Sequence, residues 1–274
     1  MANITAADVN KLRKQTGSGM MDCKKALVEA NGDFEAAIDI LRKKGQKVAA
    51  NRADRESSEG VVLAKVSDDN TYGIIISLNC ETDFVAKNEE YIQLAQSLAS
   101  HALNYSDKDS FLNSEFEGMK VSDKLLEQTG VIGEKIEIGS FEYLESEFVG
   151  SYIHAGSKIA SIVGLSEKFD NADEVSKDIS MQVAAMNPVA LDENGVSQEI
   201  IEKEIEIAKD QLRQEGKPEE MLDNIAKGKL KKFFKENTLV NQQFIKDNKQ
   251  SISDYLKSKS ENASVTGFAR IGLV

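Results

Sequence analysis

Few side chains in this sequence could do acid–base or metal chemistry. It has two histidines, His101 and His154, and two cysteines, Cys23 and Cys80. His101 falls late in a helical pattern, where a cation suits the helix dipole, so a structural role is the simpler reading. His154 ends a strand beside a turn and lacks the partners that a general base or metal ligand needs. Cys23 and Cys80 lie in apolar surroundings and outside any CxxC pair. They read as small buried hydrophobes, not as a disulfide or metal site. No GxxxxGK[ST] phosphate loop occurs; Gly130-Val131-Ile132-Gly133-Glu134-Lys135 comes near one but lacks the Ser or Thr. There is no GxSxG, HExxH or calcium loop, and no carboxylate pair stands out from the solvated background. A binding protein is expected, with no catalytic residue, no metal and no cofactor.

Charge narrows the partners. Asp and Glu number 46 against 34 Lys and Arg, for a net charge of −12. Affinity for nucleic acid is driven by phosphate neutralisation, so direct binding to it is not expected. The densest basic stretch, residues 227–235, reads as a solvated helix face. The N-terminus, Met1-Ala2-Asn3-Ile4, has no basic segment leading into an apolar run, so no signal peptide is expected. No apolar run approaches the ~20 residues of a membrane helix. A cytoplasmic, membrane-free protein is the expectation. With 274 residues, 41% hydrophobic and 29% charged, the chain is long enough for two or three packed units.

These residues sit on elements that the periodicity outlines. Residues 1–46 predict three short helices. Thr5 caps the first, which shows Val9 and Leu12 on its apolar face and ends at Gly17-Ser18-Gly19. The second carries Cys23, Ala26, Leu27 and Ala30. Asp33 caps the third, with Phe34, Ala37, Ile38 and Leu41 as its stripe and Gly45 as its stop. Residues 47–58 have no apolar period and read as a linker. Residues 60–66 and 72–79 predict a β-hairpin turning at Asp68-Asp69-Asn70. Thr82-Asp83-Phe84-Val85 then links it to a helix capped by Asn88, with Ile92, Ala95, Ala99 and Ala102 on one side. Residues 122–128 read as helix and 135–144 as strand.

The strand–strand–helix grammar recurs at residues 148–155, at 158–165 and in a helix carrying Val175, Ile179, Val183 and Met186. This second copy has Ser166-Glu167-Lys168-Phe169 where the first has Thr82-Asp83-Phe84-Val85. Residues 265–274 predict a last strand in the second sheet. Between these, residues 198–235 carry Ile201, Ile205, Ala208 and Leu212 on one stripe and Leu222, Ile225, Leu230 and Phe233 on another. Gly216-Lys217-Pro218 turns the chain between them, predicting an antiparallel helical hairpin. The class is α+β.

Three stretches add more than periodicity. Residues 12–27 (LRKQTGSGMMDCKKAL) and 79–88 (NCETDFVAKN) closely resemble signatures of the bacterial elongation factor Ts family. Residues 150–159 (GSYIHAGSKI) resemble the hairpin in the second half of that family's core. The similarity runs in order over nearly the whole chain. It implies a ubiquitin-associated-like domain at 1–46, a linker at 47–58 and a core N-subdomain at 59–145. It also implies a core C-subdomain at 146–197 and 236–274, with the helical hairpin at 198–235 as a coiled-coil insertion. Two departures stand out. Ser157 replaces the other small or basic residue of many members. The chain also stops at Val274, where some members continue into a helical module that adds partner contact, so that contact is expected to be absent.

The resemblance implies a guanine-nucleotide exchange factor that binds elongation factor Tu, GDP-bound and nucleotide-free, during translation elongation. Thr82, Asp83, Phe84 and Val85 would disturb the partner's Mg²⁺ site, with Phe84 as wedge and Asp83 at the switch region. Leu12, Arg13, Met20, Met21, Lys24 and His154 would bind the partner, although so small a helical domain needs Leu12 in its core. Self-association through the core and hairpin, seen in some members, is left open. The alternatives are a non-exchanging adaptor built on the first domain and the hairpin, or a hydrolase using His154, which nothing beyond the histidine supports.

Overall fold

In the computed structural model, residues 4–273 are described. The fold is α+β. Helices α1 (Ala6–Thr16), α2 (Met20–Glu29) and α3 (Phe34–Asn51) come first. Strands β1 (Glu59–Val66) and β2 (Tyr72–Cys80) follow, then a single helical turn α4 (Asp83–Ala86) and helix α5 (Glu89–Ala102). Helix α6 (Lys108–Asn113), the short ribbon β3 (Glu115–Phe116) and β4 (Met119–Lys120), helix α7 (Val121–Ile132) and strand β5 (Glu137–Glu145) come next. Then come β6 (Phe148–Ile153), β7 (Ile159–Leu165), α8 (Ala172–Met186), α9 (Gln198–Gln214) and α10 (Glu219–Asn237). Strands β8 (Gln243–Phe244) and β9 (Asp247–Ser251), helix α11 (Ile252–Lys259) and strand β10 (Val265–Gly272) close the chain. The larger sheets have the orders β1-β2-β5 and β10-β7-β6.

The chain divides into two compact units. One holds the residues up to Leu63 together with Ile76–Phe141, and the other holds Ala64–Ile75 and Glu142–Gly272. In the first, α1, α2 and α3 close on Val9, Leu12, Cys23, Ala26, Leu27 and Ala37. Thr5 caps α1 through a reciprocal pair with Asp8, and Gly17 ends it in the left-handed region.

The third helix does not stop at Gly45, as glycine punctuation predicted. It runs on to Asn51 and takes up part of the expected linker. The reason is tertiary. Gly45 is buried against α7, and a Cβ on Gly130 would lie 2.4 Å from the Gly45 Cα. Both glycines therefore serve close helix approach, not termination. Beyond the helix the chain stays tied down. Asn79 Nδ2 donates to Ser57 O at 2.7 Å, Ser57 Oγ donates to Glu137, and Lys135 Nζ donates to Arg55 O at 3.3 Å.

In the second unit, α8 lays Val175, Ile179 and Val183 over Phe148, Val163 and Leu165, with Leu239, Phe244, Ile252 and Leu256 completing the core. Met186, assigned to that stripe from its spacing, is 47% exposed instead, because it is the last residue of the helix. β6 ends at Ile153, one residue before His154. β10 pairs antiparallel with β7, from Val265 opposite Leu165 to Gly272 opposite Ile159. Helices α9 and α10 are joined by Lys209–Asp223 and Arg213–Glu219 ion pairs, with Ala208, Leu212, Leu222 and Ala226 buried. Ala226 takes the buried place that spacing gave to Ile225. Sequence reading missed α6, the β3–β4 ribbon and α11. These are too short for periodicity to register, although α11 carries a Ser251/Asp254 capping box.

Candidate functional site

The segment between β2 and α5 is not an irregular link. Residues 83–86 form one helical turn, for which Thr82 is the N-cap: its Oγ1 accepts from Val85 N at 3.5 Å. A four-residue helix has no stability alone, since isolated helices shorter than about 12 residues are marginal. Its order comes from Glu134, which follows the left-handed cap Gly133 at the end of α7. The Glu134 carboxylate accepts three hydrogen bonds: Glu81 N at 3.1 Å, Thr82 N at 3.0 Å and Thr82 Oγ1 at 2.7 Å. In return, the Glu81 carboxylate accepts from Lys135 N at 2.7 Å and from the Arg52 guanidinium at 2.7 Å. Each glutamate carboxylate thus accepts from the backbone of the other's segment across the end of β2. Arg52, the C-cap of α3, ties the N-terminal helices to the same point.

Burial opposes charge on Glu81, but the Lys135 N–H and the Arg52 guanidinium outweigh it and hold its carboxyl below the ordinary glutamate range. The sign follows. A carboxylate with a lowered folded pKa contributes stability above its unfolded value of 4.5, and this is lost as pH falls through the folded value. Urea midpoints measured from pH 6 downward should fall below pH 4.5 less steeply in Arg52→Ala than in the parent chain.

On this clamped turn Phe84 is 84% exposed. Without the resemblance a core position at the end of the strand would be the simpler expectation; the resemblance reverses it, and the ring lies outside the core. Ala86 turns into the core while Phe84 faces solvent. Asp83 pairs with Lys87 at 2.6 Å on the surface. Below the turn, Cys80 Sγ lies 3.2 Å from Thr82 O, and the buried Tyr91 hydroxyl donates to Leu78 O at 2.7 Å. Burial pushes that phenol well above its ordinary pKa, so it remains a neutral donor.

The two quoted signatures meet in space. A groove of about 600 Å³ is lined by Arg13, Gly17, Ser18 and Gly19 from the N-terminal helices and by Thr82, Phe84 and Val85 from the turn. Met20 and Met21, at the start of α2, are 52% and 63% exposed, and Arg13 and Lys24 are exposed as well. Leu12 does not join them. It is fully buried between the helices, so its expected place among the partner-binding residues is corrected to one in the core. Leu12→Ala should cost about 2–5 kcal/mol in urea denaturation, the usual range for emptying a packed leucine site.

The remaining candidates lie apart in role. His154 is exposed in the second unit, its Nδ1 3.0 Å from the Tyr152 hydroxyl and its backbone N–H bonded to Ile159 O. His101 bonds Ser114 Oγ at 2.8 Å inside an aromatic group of Tyr105, Phe111 and Phe116, and burial lowers its pKa. Cys23 and Cys80 are both buried. Among the described residues no helix is long and apolar enough to cross a membrane. Sequence reading missed Arg52, Glu81 and Glu134 as parts of the site. Their contacts join segments about 30 to 50 positions apart, as in Arg52–Glu81 and Thr82–Glu134, and no local pattern reports such pairs.

Comparison with known proteins bears on the same segment. The family model described as "Elongation factor TS" matches residues 81–273. Curated proteins named elongation factor Ts align along the chain. One from Christiangramia forsetii is 66% identical over 273 residues, covering 100% of both chains. One from Flavobacterium psychrophilum is 62% identical, again over the full length of both. One from Amoebophilus asiaticus is 48% identical over 271 residues, 98% of each.

Proposed function

The chain belongs to the elongation factor Ts family, and on that footing we propose that it is a guanine-nucleotide exchange factor acting on GDP-bound elongation factor Tu. The observation that carries this reading is the exposed Phe84 on a turn whose backbone is fixed from behind. A phenyl ring left in water gains about 1.5–3 kcal/mol on burial. Here that gain is held for a partner, since the ring is 84% exposed among the described residues. Such an aromatic is the usual anchor of a protein interface.

The partner's nucleotide is held in part by Mg²⁺, which needs near-octahedral oxygen geometry and tolerates little displacement of a ligand. Phe84 is the wedge inserted beside that site. Asp83 engages the switch region and exchanges its exposed Lys87 contact, a weak surface pair, for one on the partner. Thr82 and Val85 set the shape of the turn. Arg13 in the groove and the exposed Met20, Met21 and Lys24 of α2 hold the partner, and adaptable methionines suit a surface that must follow a moving neighbour. His154 makes a second, separate contact. In the same reading α1–α3 form a ubiquitin-associated-like domain, the two strand–strand–helix units are the core halves, and α9–α10 are a hairpin insertion. The exposed Ile207 and Met221 on that hairpin are suited to self-association.

No bond is made or broken, so the activity is a change in equilibrium and rate of GDP release, not enzyme chemistry. Linkage makes it reciprocal: whatever factor this protein takes from GDP affinity, GDP takes from its own affinity. Stopped-flow mixing with elongation factor Tu carrying fluorescent GDP tests the reading. Accelerated release that saturates with added protein supports it. Complex formation with unaltered release overturns it in favour of a non-exchanging adaptor.

A further inference from the structure

We infer that Glu134 and Arg52 are positioning residues for the exchange turn, coupling the N-terminal helices to the thrust of Phe84. The inference rests on the exchange reading above. A side chain that displaces another protein's ligand transmits an equal load to its own backbone, and the turn of residues 83–86 is too short to carry that load itself. Glu134 takes it through the Glu81 N–H, the Thr82 N–H and the Thr82 hydroxyl, all within 3.1 Å. These are charge-assisted bonds to one carboxylate, and no other acceptor faces those donors among the described residues. Glu81 returns the hold through Lys135 N and passes it to Arg52 at the end of α3. A partner seated against α1 and α2 thereby bears on the same rigid frame that supports Phe84. Arg52 does not line the groove, and Glu134 lines it with both carboxylate oxygens already engaged by Glu81 and Thr82, so both should act on the rate within the complex more than on its formation.

The test compares Glu134→Ala, Glu134→Gln, Arg52→Ala and Phe84→Ala for maximal GDP release and for half-saturating concentration. Glu134→Ala should lower the maximal rate about tenfold and leave half-saturation within about twofold, the pattern of an interaction lost only in the displaced state. Glu134→Gln keeps one carbonyl oxygen, which can take the place of the Oε2 that accepts from both backbone N–H groups, and should recover part of the rate. Amide hydrogen exchange in the free protein gives a readout that does not depend on the partner. The Glu81 and Thr82 amides should exchange at least about tenfold faster in Glu134→Ala, because the carboxylate that accepts from both is gone. An unchanged maximal rate or unchanged amide exchange in Glu134→Ala, with Phe84→Ala inactive, overturns the inference alone. Full activity in Phe84→Ala instead overturns the exchange reading on which it rests. Should Glu134→Ala fail to fold, Glu134→Gln and Arg52→Ala carry the same comparison.

Discussion

Phe84→Ala is expected to leave the protein folded and bound to its partner while removing most of the acceleration of GDP release. The ring is 84% exposed, so its loss opens no cavity and the urea midpoint should not move. The interface energy it forfeits is about 1.5–3 kcal/mol, or about ten- to a hundredfold in rate if all of it is realised in the displaced state. Single-turnover release of fluorescent GDP at saturating protein measures this directly. Release within twofold of the parent rate would mean that the exposed ring is not the displacing group.

The second large effect lies in the seat of α3 on α7. Glycine to alanine in a helix interior ordinarily stabilises by about 0.5–1 kcal/mol. Gly130→Ala should reverse that sign, because its Cβ would sit 2.4 Å from the Gly45 Cα and neither backbone can turn aside. Overpacking of this kind costs about 1–3 kcal/mol and sometimes more, so a net loss of about 2 kcal/mol is expected. Gly45→Ala is the control. Its Cβ would meet Gly130 Cα and Leu126 O at 3.5 Å, ordinary contact distance, so it should be neutral or mildly stabilising. Urea denaturation of the two variants distinguishes them, and equal effects would refute the packing argument. Because α3 ends at Arg52 and α7 leads into Glu134, Gly130→Ala should also slow GDP release, whereas Gly45→Ala should not.

The motif Gly130-Val131-Ile132-Gly133-Glu134-Lys135 illustrates how sequence and structure divided the work. Its spacing suggests a faulty phosphate loop. In the fold, Gly130 is a helix contact, Gly133 a helix cap, Glu134 the clamp on Thr82, and Lys135 N a donor to Glu81. All but the Gly133 cap, which bonds Thr129 O four residues back, depend on a residue far away in the chain.

Residue order alone made legible the α+β class, the three N-terminal helices, most strands and the helical hairpin. Those follow from periodicity, capping and turn chemistry, which act over a few residues. It also carried the family through contiguous signatures, and it marked Thr82, Asp83, Phe84 and Val85 as a segment of interest. Local patterns leave undecided that α3 passes Gly45, that Met186 faces out, and that the turn is braced by Glu134 and Arg52. Burial and long-range hydrogen bonds depend on which segments meet. That meeting is set by the packing of the whole unit, and no local window of residues contains it.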